Sequence, residues 1–266
     1  MDFQLSGKTA LITGGSRGIG FAAAKSLAAE GARIALSARD PAQLQRAKEE
    51  LSGIGLPVLT IPSDLTVSGD EIRIMEAVMA EFGRLDILVN SAGAAQGGVF
   101  WKLSDEDWQN NLALKLFGTI RMMRAAIPVM LEQGYGRIVT IAGAAGRQPE
   151  AHLMPVGVAN AGLYAITRAL ADELGPHGIV LTALNPGVTR TDRFINRLKN
   201  RAQKEGRTLE EIQTETENHI LEQTPLRRIG TAEDIAAWIT FLASDRAAHF
   251  TGQSITVDGG LNRPPG

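Results

Sequence analysis

Short apolar segments alternate with longer helical ones along nearly the whole chain, and this alternation restricts the possible folds more than any other feature. The strand-like stretches 9–12, 33–37, 58–61 and 86–90 are separated by helix-like stretches 17–30, 41–52 and 69–82. The rhythm continues with a helix at about 106–132, a strand at 137–141, a helix at about 156–174, a strand at 180–185, a helix at 232–242 and a strand at 254–257. Strict β-α alternation predicts the α/β class, with a parallel sheet covered by helices on both faces. Roughly seven strands joined by right-handed crossovers predict a doubly wound sandwich. No linker, repeat or low-complexity stretch interrupts the pattern, so residues 1–266 are expected to form a single domain.

One segment departs from the rhythm. Residues 189–224 are rich in charge and predict two short amphipathic helices, around 193–204 and 209–221. Insertions after the carboxyl ends of strands cover the ligand crevice in open α/β sheets, which makes 189–224 a candidate helical lid over the substrate.

Composition removes several function classes. The 27 basic residues nearly balance the 29 acidic ones, for a net charge of −2. That balance gives no general reason to bind nucleic acid or an anionic membrane. With no cysteine, thiolate metal sites, disulfides and cysteine nucleophiles are excluded, and the four scattered histidines do not suggest a metal site. No apolar run approaches the ~18 residues needed to span a bilayer, and no basic segment precedes an apolar one at the amino end. A cytoplasmic protein acting on a small molecule is the expectation.

Thr13-Gly14-Gly15-Ser16-Arg17-Gly18-Ile19-Gly20 follows the first predicted strand and opens the first helix. A glycine-rich turn there lets backbone amides approach a pyrophosphate at the positive end of the helix. Three further features join it: Asp64, with Leu65 beside it, after the third strand; Asn90-Ser91-Ala92-Gly93 after the fourth; and Asn185-Pro186-Gly187 with Thr191 after the sixth. All fall at strand carboxyl ends, where such sheets bind ligands.

These motifs, together with Pro225-Leu226-Arg227-Arg228-Ile229-Gly230 and Asp258-Gly259-Gly260, resemble those of the short-chain dehydrogenase/reductase family over practically the whole chain. The resemblance implies a single Rossmann-like dinucleotide-binding domain, a nicotinamide cofactor, and a homodimer or homotetramer. It carries Gly14, Ser16, Arg17, Gly18, Ile19 and Gly20 over as the pyrophosphate turn, Asp64 as the adenine contact, Asn90 with Ala92 and Gly93 as the ribose-side turn, and Thr191 as the carboxamide contact. The second strand ends Leu36-Ser37-Ala38-Arg39, without the acidic residue that would bond a free ribose 2′-hydroxyl. Arg39, with Arg17, instead suits a 2′-phosphate, which favours NADP(H) over NAD(H). In the alternative, Arg39 is a solvated loop residue.

In that family a Ser and a Tyr hold the substrate oxygen, a Lys lowers the Tyr pKa, and an Asn fixes a water leading to the Lys. The flanking motifs put the Ser position at Gly143, the Tyr position at Val156, the Lys position at Asn160 and the Asn position, seven residues after Trp108, at Lys115. All four differ, and no serine occurs between Asp105 and Ala243. Tyr164 with Arg168 imitates Tyr-x-x-x-Lys eight residues late. Eight helical residues add ~12 Å of rise and turn the face by ~80°, so that pair does not replace the missing one. Asn and Lys look exchanged between Lys115 and Asn160. A buried Lys115 would have a lowered pKa, suited to acid-base work or to a Schiff base, or it simply restores a hydrogen bond between two helices. His152, with Glu150 nearby, is a second candidate acid in the loop that borders the substrate. Arg190, Arg193 and Arg197 either hold an anion or form a solvated helix surface.

Three functions stay open on the sequence. The first is an NADP(H)-dependent oxidoreductase of a carbonyl or alcohol with a non-standard active site. The second is a lyase or aldolase-like enzyme using Lys115. The third is a cofactor-binding pseudoenzyme that partners itself or an active relative.

Overall fold

The computed structural model describes residues 2–55, 57–93 and 97–262. Seven strands form one parallel sheet: β1 (Thr9–Thr13), β2 (Arg33–Ala38), β3 (Val58–Pro62), β4 (Ile87–Asn90), β5 (Gly136–Ile141), β6 (Ile179–Pro186) and β9 (Gln253–Val257), in the order β3-β2-β1-β4-β5-β6-β9. The order reverses between β1 and β4, so the crevice for a ligand opens beyond the carboxyl ends of those two strands.

The period-2 alternation of each strand sorts its side chains between two cores. Ala10, Ile12, Ile34, Leu36, Ile87, Val89, Val139 and Ile141 face one side, where α1 (Gly18–Ala29), α2 (Pro41–Ser52) and α9 (Ala232–Ala243) pack. Leu11, Ala35, Leu88, Ile138 and Leu181 face the other, against α3 (Asp70–Phe82), α5 (Thr119–Gln133) and the end of α6 (Met154–Leu174). The predicted doubly wound sandwich is therefore the fold observed.

Asp86, fully buried just before β4, ties the amino ends of three strands together. Its Oδ2 accepts from Thr9 N at 2.8 Å and from Arg84 Nε at 2.9 Å, and its Oδ1 accepts from Arg84 Nη2 at 2.6 Å. Its backbone carbonyl accepts from Arg137 N at 2.9 Å.

The helix expected over 106–132 is divided. α4 (Asp105–Leu112) runs into a π-helical segment, Ala113–Gly118, before α5 begins. Ser104 and Asp107 close a capping box at the start of α4, which explains why the helix begins there. The sequence carries no comparable signal for the π segment, whose i→i+5 bonds widen the helix by one residue.

Residues 189–224 contain the two expected helices, α7 (Asp192–Glu205) and α8 (Leu209–Gln223), around a small core of Phe194, Leu198, Ala202, Ile212 and Ile220. A two-stranded pairing that the sequence did not announce, β7 (Thr189–Arg190) with β8 (Gly230–Thr231), clips both ends of this segment together. No helix of the described residues is long and apolar enough to cross a membrane.

Candidate active site and nucleotide crevice

The glycine-rich turn is tight enough to exclude side chains. Gly14 has φ +65°, and a Cβ there would lie 2.9 Å from the Ala92 backbone, so the turns after β1 and β4 touch. A Cβ on Gly20 would run into the Gly14 carbonyl. The Gly14 amide donates to Ser37 O at 2.7 Å, which places the buried Ser37 as a support of the turn, and its hydroxyl shares a 2.6 Å bond with Ser63. Thr13, which sequence reasoning passed over, joins the two turns. Its Oγ1 accepts from the Ser91 and Ala92 amides, each at 3.2 Å. A strand-terminal Thr before a glycine turn was the available signal, because a hydroxyl can accept from two amides that a glycine turn leaves unpaired. Arg17 and Arg39 are exposed, and their guanidiniums have no hydrogen-bond or salt-bridge partner among the described residues. The bare backbone at the turn and two unpaired guanidiniums beside it fit a dinucleotide phosphate.

Asp64 accepts through Oδ1 from Thr66 N at 2.9 Å and Thr66 Oγ1 at 2.8 Å. Leu65 is buried, and its carbonyl accepts from Arg121 Nη2 at 2.6 Å. The same nitrogen reaches Ala113 O at 3.4 Å, joining this turn to the π segment. Asn90 donates to Thr140 Oγ1 at 3.4 Å and leaves its buried Oδ1 unpaired. Gly187 donates to Val257 O at 3.0 Å, and a Cβ there would collide with Asp258. Thr191 caps α7 through Phe194 N at 3.4 Å and faces Gly18 across the crevice, 3.7 Å from where a Cβ would stand.

Lys115 lies in the π segment, beyond β4 and β5. Its Nζ donates to Ile141 O at 3.2 Å and to Ala142 O at 3.3 Å, and it adjoins Gly93, 3.6 Å from where a Cβ would stand. Burial, followed by the charge of Arg193, pushes its ammonium from 10.5 down to about 8, although part of the residue still meets solvent. The loss of water around the ammonium is the dominant cause, since a bare cation is the form that burial disfavours.

Gly143 and Asn160 are brought into contact. A Cβ on Gly143 would stand 2.8 Å from Asn160 Nδ2, so this asparagine occupies the space a side chain at 143 would need. Asn160 is 1% exposed and its Oδ1 has no partner. Val156 is buried one turn earlier on α6. Tyr164 is occupied elsewhere: its hydroxyl donates to Gly143 O at 2.5 Å, and burial pushes it up to about 12. Arg168 pairs outward with Asp172 at 2.5 Å.

His152 is exposed, with Nε2 3.5 Å from Glu150 Oε2. No hydrogen bond or ion pair joins it to Lys115 or Asn160 among the described residues. The lid arginines separate by role. Arg190 pairs with Glu217 at 2.8 Å, Arg197 lies over the Phe194 ring at 5.6 Å, and only Arg193 reaches the crevice, where its Nη2 donates to Gly93 O.

A parallel doubly wound sheet with a glycine-rich turn at its switch point defines a Rossmann-like nucleotide-binding α/β protein. The family model described as enoyl-(acyl carrier protein) reductase matches residues 14–262. The 3-oxoacyl-[acyl-carrier-protein] reductase FabG of Escherichia coli (strain K12) is 34% identical over 261 residues, 98% of this chain and 99% of that protein. L-sorbose reductase from Gluconobacter frateurii, solved with NADPH and L-sorbose, superposes with a TM-score of 0.94 at 32% identity over all of both chains. A variant of actinorhodin polyketide ketoreductase, solved with NADPH, gives 0.90 at 31% identity, covering 98% of this chain and 99% of that one. The chain belongs to the short-chain dehydrogenase/reductase family of oxidoreductases.

Proposed function

We propose that the protein is an NADP(H)-dependent oxidoreductase acting on a carbonyl or alcohol substrate, with Lys115 as the proton donor to the substrate oxygen. The carrying observation is the setting of that ammonium at the switch-point crevice, held by two carbonyls and lowered to about 8. The family's usual Ser, Tyr and Lys positions would then be Gly143, Val156 and Asn160, none of which can ionise.

When bound, NADP(H) would supply the hydride in reduction or accept it in oxidation. The turn from Gly14 to Gly20, Asp64, Leu65, the Asn90–Gly93 turn, Pro186, Gly187 and Thr191 would hold it, with 189–224 as the lid. Lys115 has three N–H groups, and two are engaged by the Ile141 and Ala142 carbonyls. The third is free for the substrate oxygen. As a carbonyl carbon takes up hydride, its oxygen gathers negative charge, and transfer of that third proton leaves a neutral amine with both carbonyl bonds kept. No reorganisation of the lysine is needed, which is the condition under which a positioned acid is most effective. Asn160, with an unpartnered Oδ1, would hold the substrate or an ordered water, and His152 would serve at the rim.

The test is NADPH oxidation over a panel of ketones and aldehydes, comparing wild type with Lys115→Met. Turnover that survives the substitution overturns the assignment. Absence of turnover with a borohydride-trappable imine at Lys115 would favour a lyase, and absence of both would favour a cofactor-binding partner subunit.

Preference for NADPH rests on Arg39 and Arg17. Arg39→Ala is expected to weaken NADPH binding about tenfold, or ~1.4 kcal/mol, while NADH binding stays unchanged. Equal losses for the two cofactors in a fluorescence titration would remove Arg39 from the 2′-phosphate site. A dimer or tetramer is also expected, since Phe117 and Val158 each leave half their surface exposed. Sedimentation at micromolar protein should return a multiple of 28.4 kDa.

A further inference from the structure

Arg193 differs from the paired arginines of its segment and the turn that follows it. Arg190, Arg201, Arg207 and Arg228 each pair with a carboxylate. Arg193, like Arg197 and Arg227, has none, but it alone of these reaches the crevice, where its side chain donates to the Gly93 carbonyl. Gly93 in turn adjoins Lys115, so a guanidinium and an ammonium converge on one glycine from opposite walls of the crevice. Desolvation, then the charge of Arg17, lowers the Arg193 pKa, and Arg193 lowers that of Lys115. No carboxylate among the described residues relieves this repulsion. Clustered cations left uncompensated in a cleft call for an anionic ligand, and a guanidinium offers a charged fork of donors to a carboxylate or phosphate.

Two sources of such an anion exist, the cofactor and the substrate. Sheet order separates them. Arg39 follows β2, on one side of β1, whereas Gly93 and Lys115 follow or face β4 and β5, on the other. Arg193 thus bonds the turn on the β4 side, at Gly93, while remaining close enough to Arg17 of the glycine turn to feel its charge.

We infer that the substrate itself is anionic and that its carboxylate or phosphate docks on Arg193 in place of the Gly93 carbonyl, beside Lys115. This assignment rests on the crevice being the reaction site proposed above, but its test does not depend on turnover.

The experiment is calorimetric titration of 2-oxopentanoate and 4-oxopentanoate, each against its methyl ester, into wild type, Arg193→Gln and Arg193→Lys at neutral pH, with and without saturating NADP⁺. At least one acid is expected to bind wild type with NADP⁺ present at least tenfold tighter than its ester. Arg193→Gln is expected to abolish the preference, and Arg193→Lys to retain part of it. The lysine variant keeps the test usable should the glutamine variant fold poorly. Equal binding of acid and ester, no binding of either acid, or a preference that Arg193→Gln leaves intact each overturns the inference. A preference that disappears once NADP⁺ is present would assign the cations to the cofactor's phosphates and overturn it as well. If Lys115→Met left turnover unchanged while the acid preference persisted, the proton-donor assignment alone would fall.

Discussion

Replacing Lys115 by Met is expected to lower kcat for carbonyl reduction by about 10²- to 10⁴-fold, the range that a positioned general acid contributes. In wild type, reduction needs the ammonium, so kcat should fall as pH rises through about 8, while oxidation, which needs the amine, should rise over the same interval. The stability of the fold should respond too. Lys115 titrates near 8 in the folded chain and near its ordinary 10.5 when unfolded. Between those values the unfolded chain binds more protons, so stability increases with pH from about 8 to 10.5. The full shift corresponds to about 3 kcal/mol, which the partial exposure of the residue reduces to roughly 1–2 kcal/mol. Thermal melts between pH 7.5 and 10 should show this gain in wild type relative to Lys115→Met. A flat difference between the two would mean that the ammonium is hydrated and unstrained.

Asp86→Ala is expected to destabilise the fold by about 3 kcal/mol. It removes a buried acceptor, leaves the Thr9 amide without its bond, and deprives the Arg84 guanidinium of both its hydrogen bonds. For a chain of this size that is a fall in Tm of roughly 6–12 °C. Asp86→Asn keeps an acceptor for Thr9 and should lose about half as much. A loss below about 1 kcal/mol for the alanine variant would show that β1 and β4 hold their register without the carboxylate. The crevice lies at the opposite end of the same strands, so cofactor affinity should survive in whatever fraction remains folded.

The order and type of the sheet elements were legible because apolar period and turn chemistry act locally, and each strand's alternation sorts its side chains between the two cores. Gly14 and Gly20 were legible for the same reason, as a short motif in a fixed context. The π segment was not, because an extra residue in a helix turn leaves no trace in hydrophobic spacing. The role of Arg121, and which of the three lid arginines singled out would reach the crevice, were hidden for another reason. Arg121 and Arg193 each act on a backbone carbonyl distant in sequence, at Leu65 and at Gly93, and a carbonyl has no residue identity to read. The contact of Asn160 with Gly143 lay between these cases. Both positions were singled out, but only the fold shows that one fills the space left by the other.

That contact constrains how this site could be altered by single substitutions. A serine introduced at 143 would bring its Cβ within 2.8 Å of Asn160 Nδ2, the far end of a side chain that must turn aside to admit it. A change at one position therefore requires the side chain at the other to move. A side chain at 143 and the side chain at 160 draw on one space, so the two positions are expected to vary as a pair.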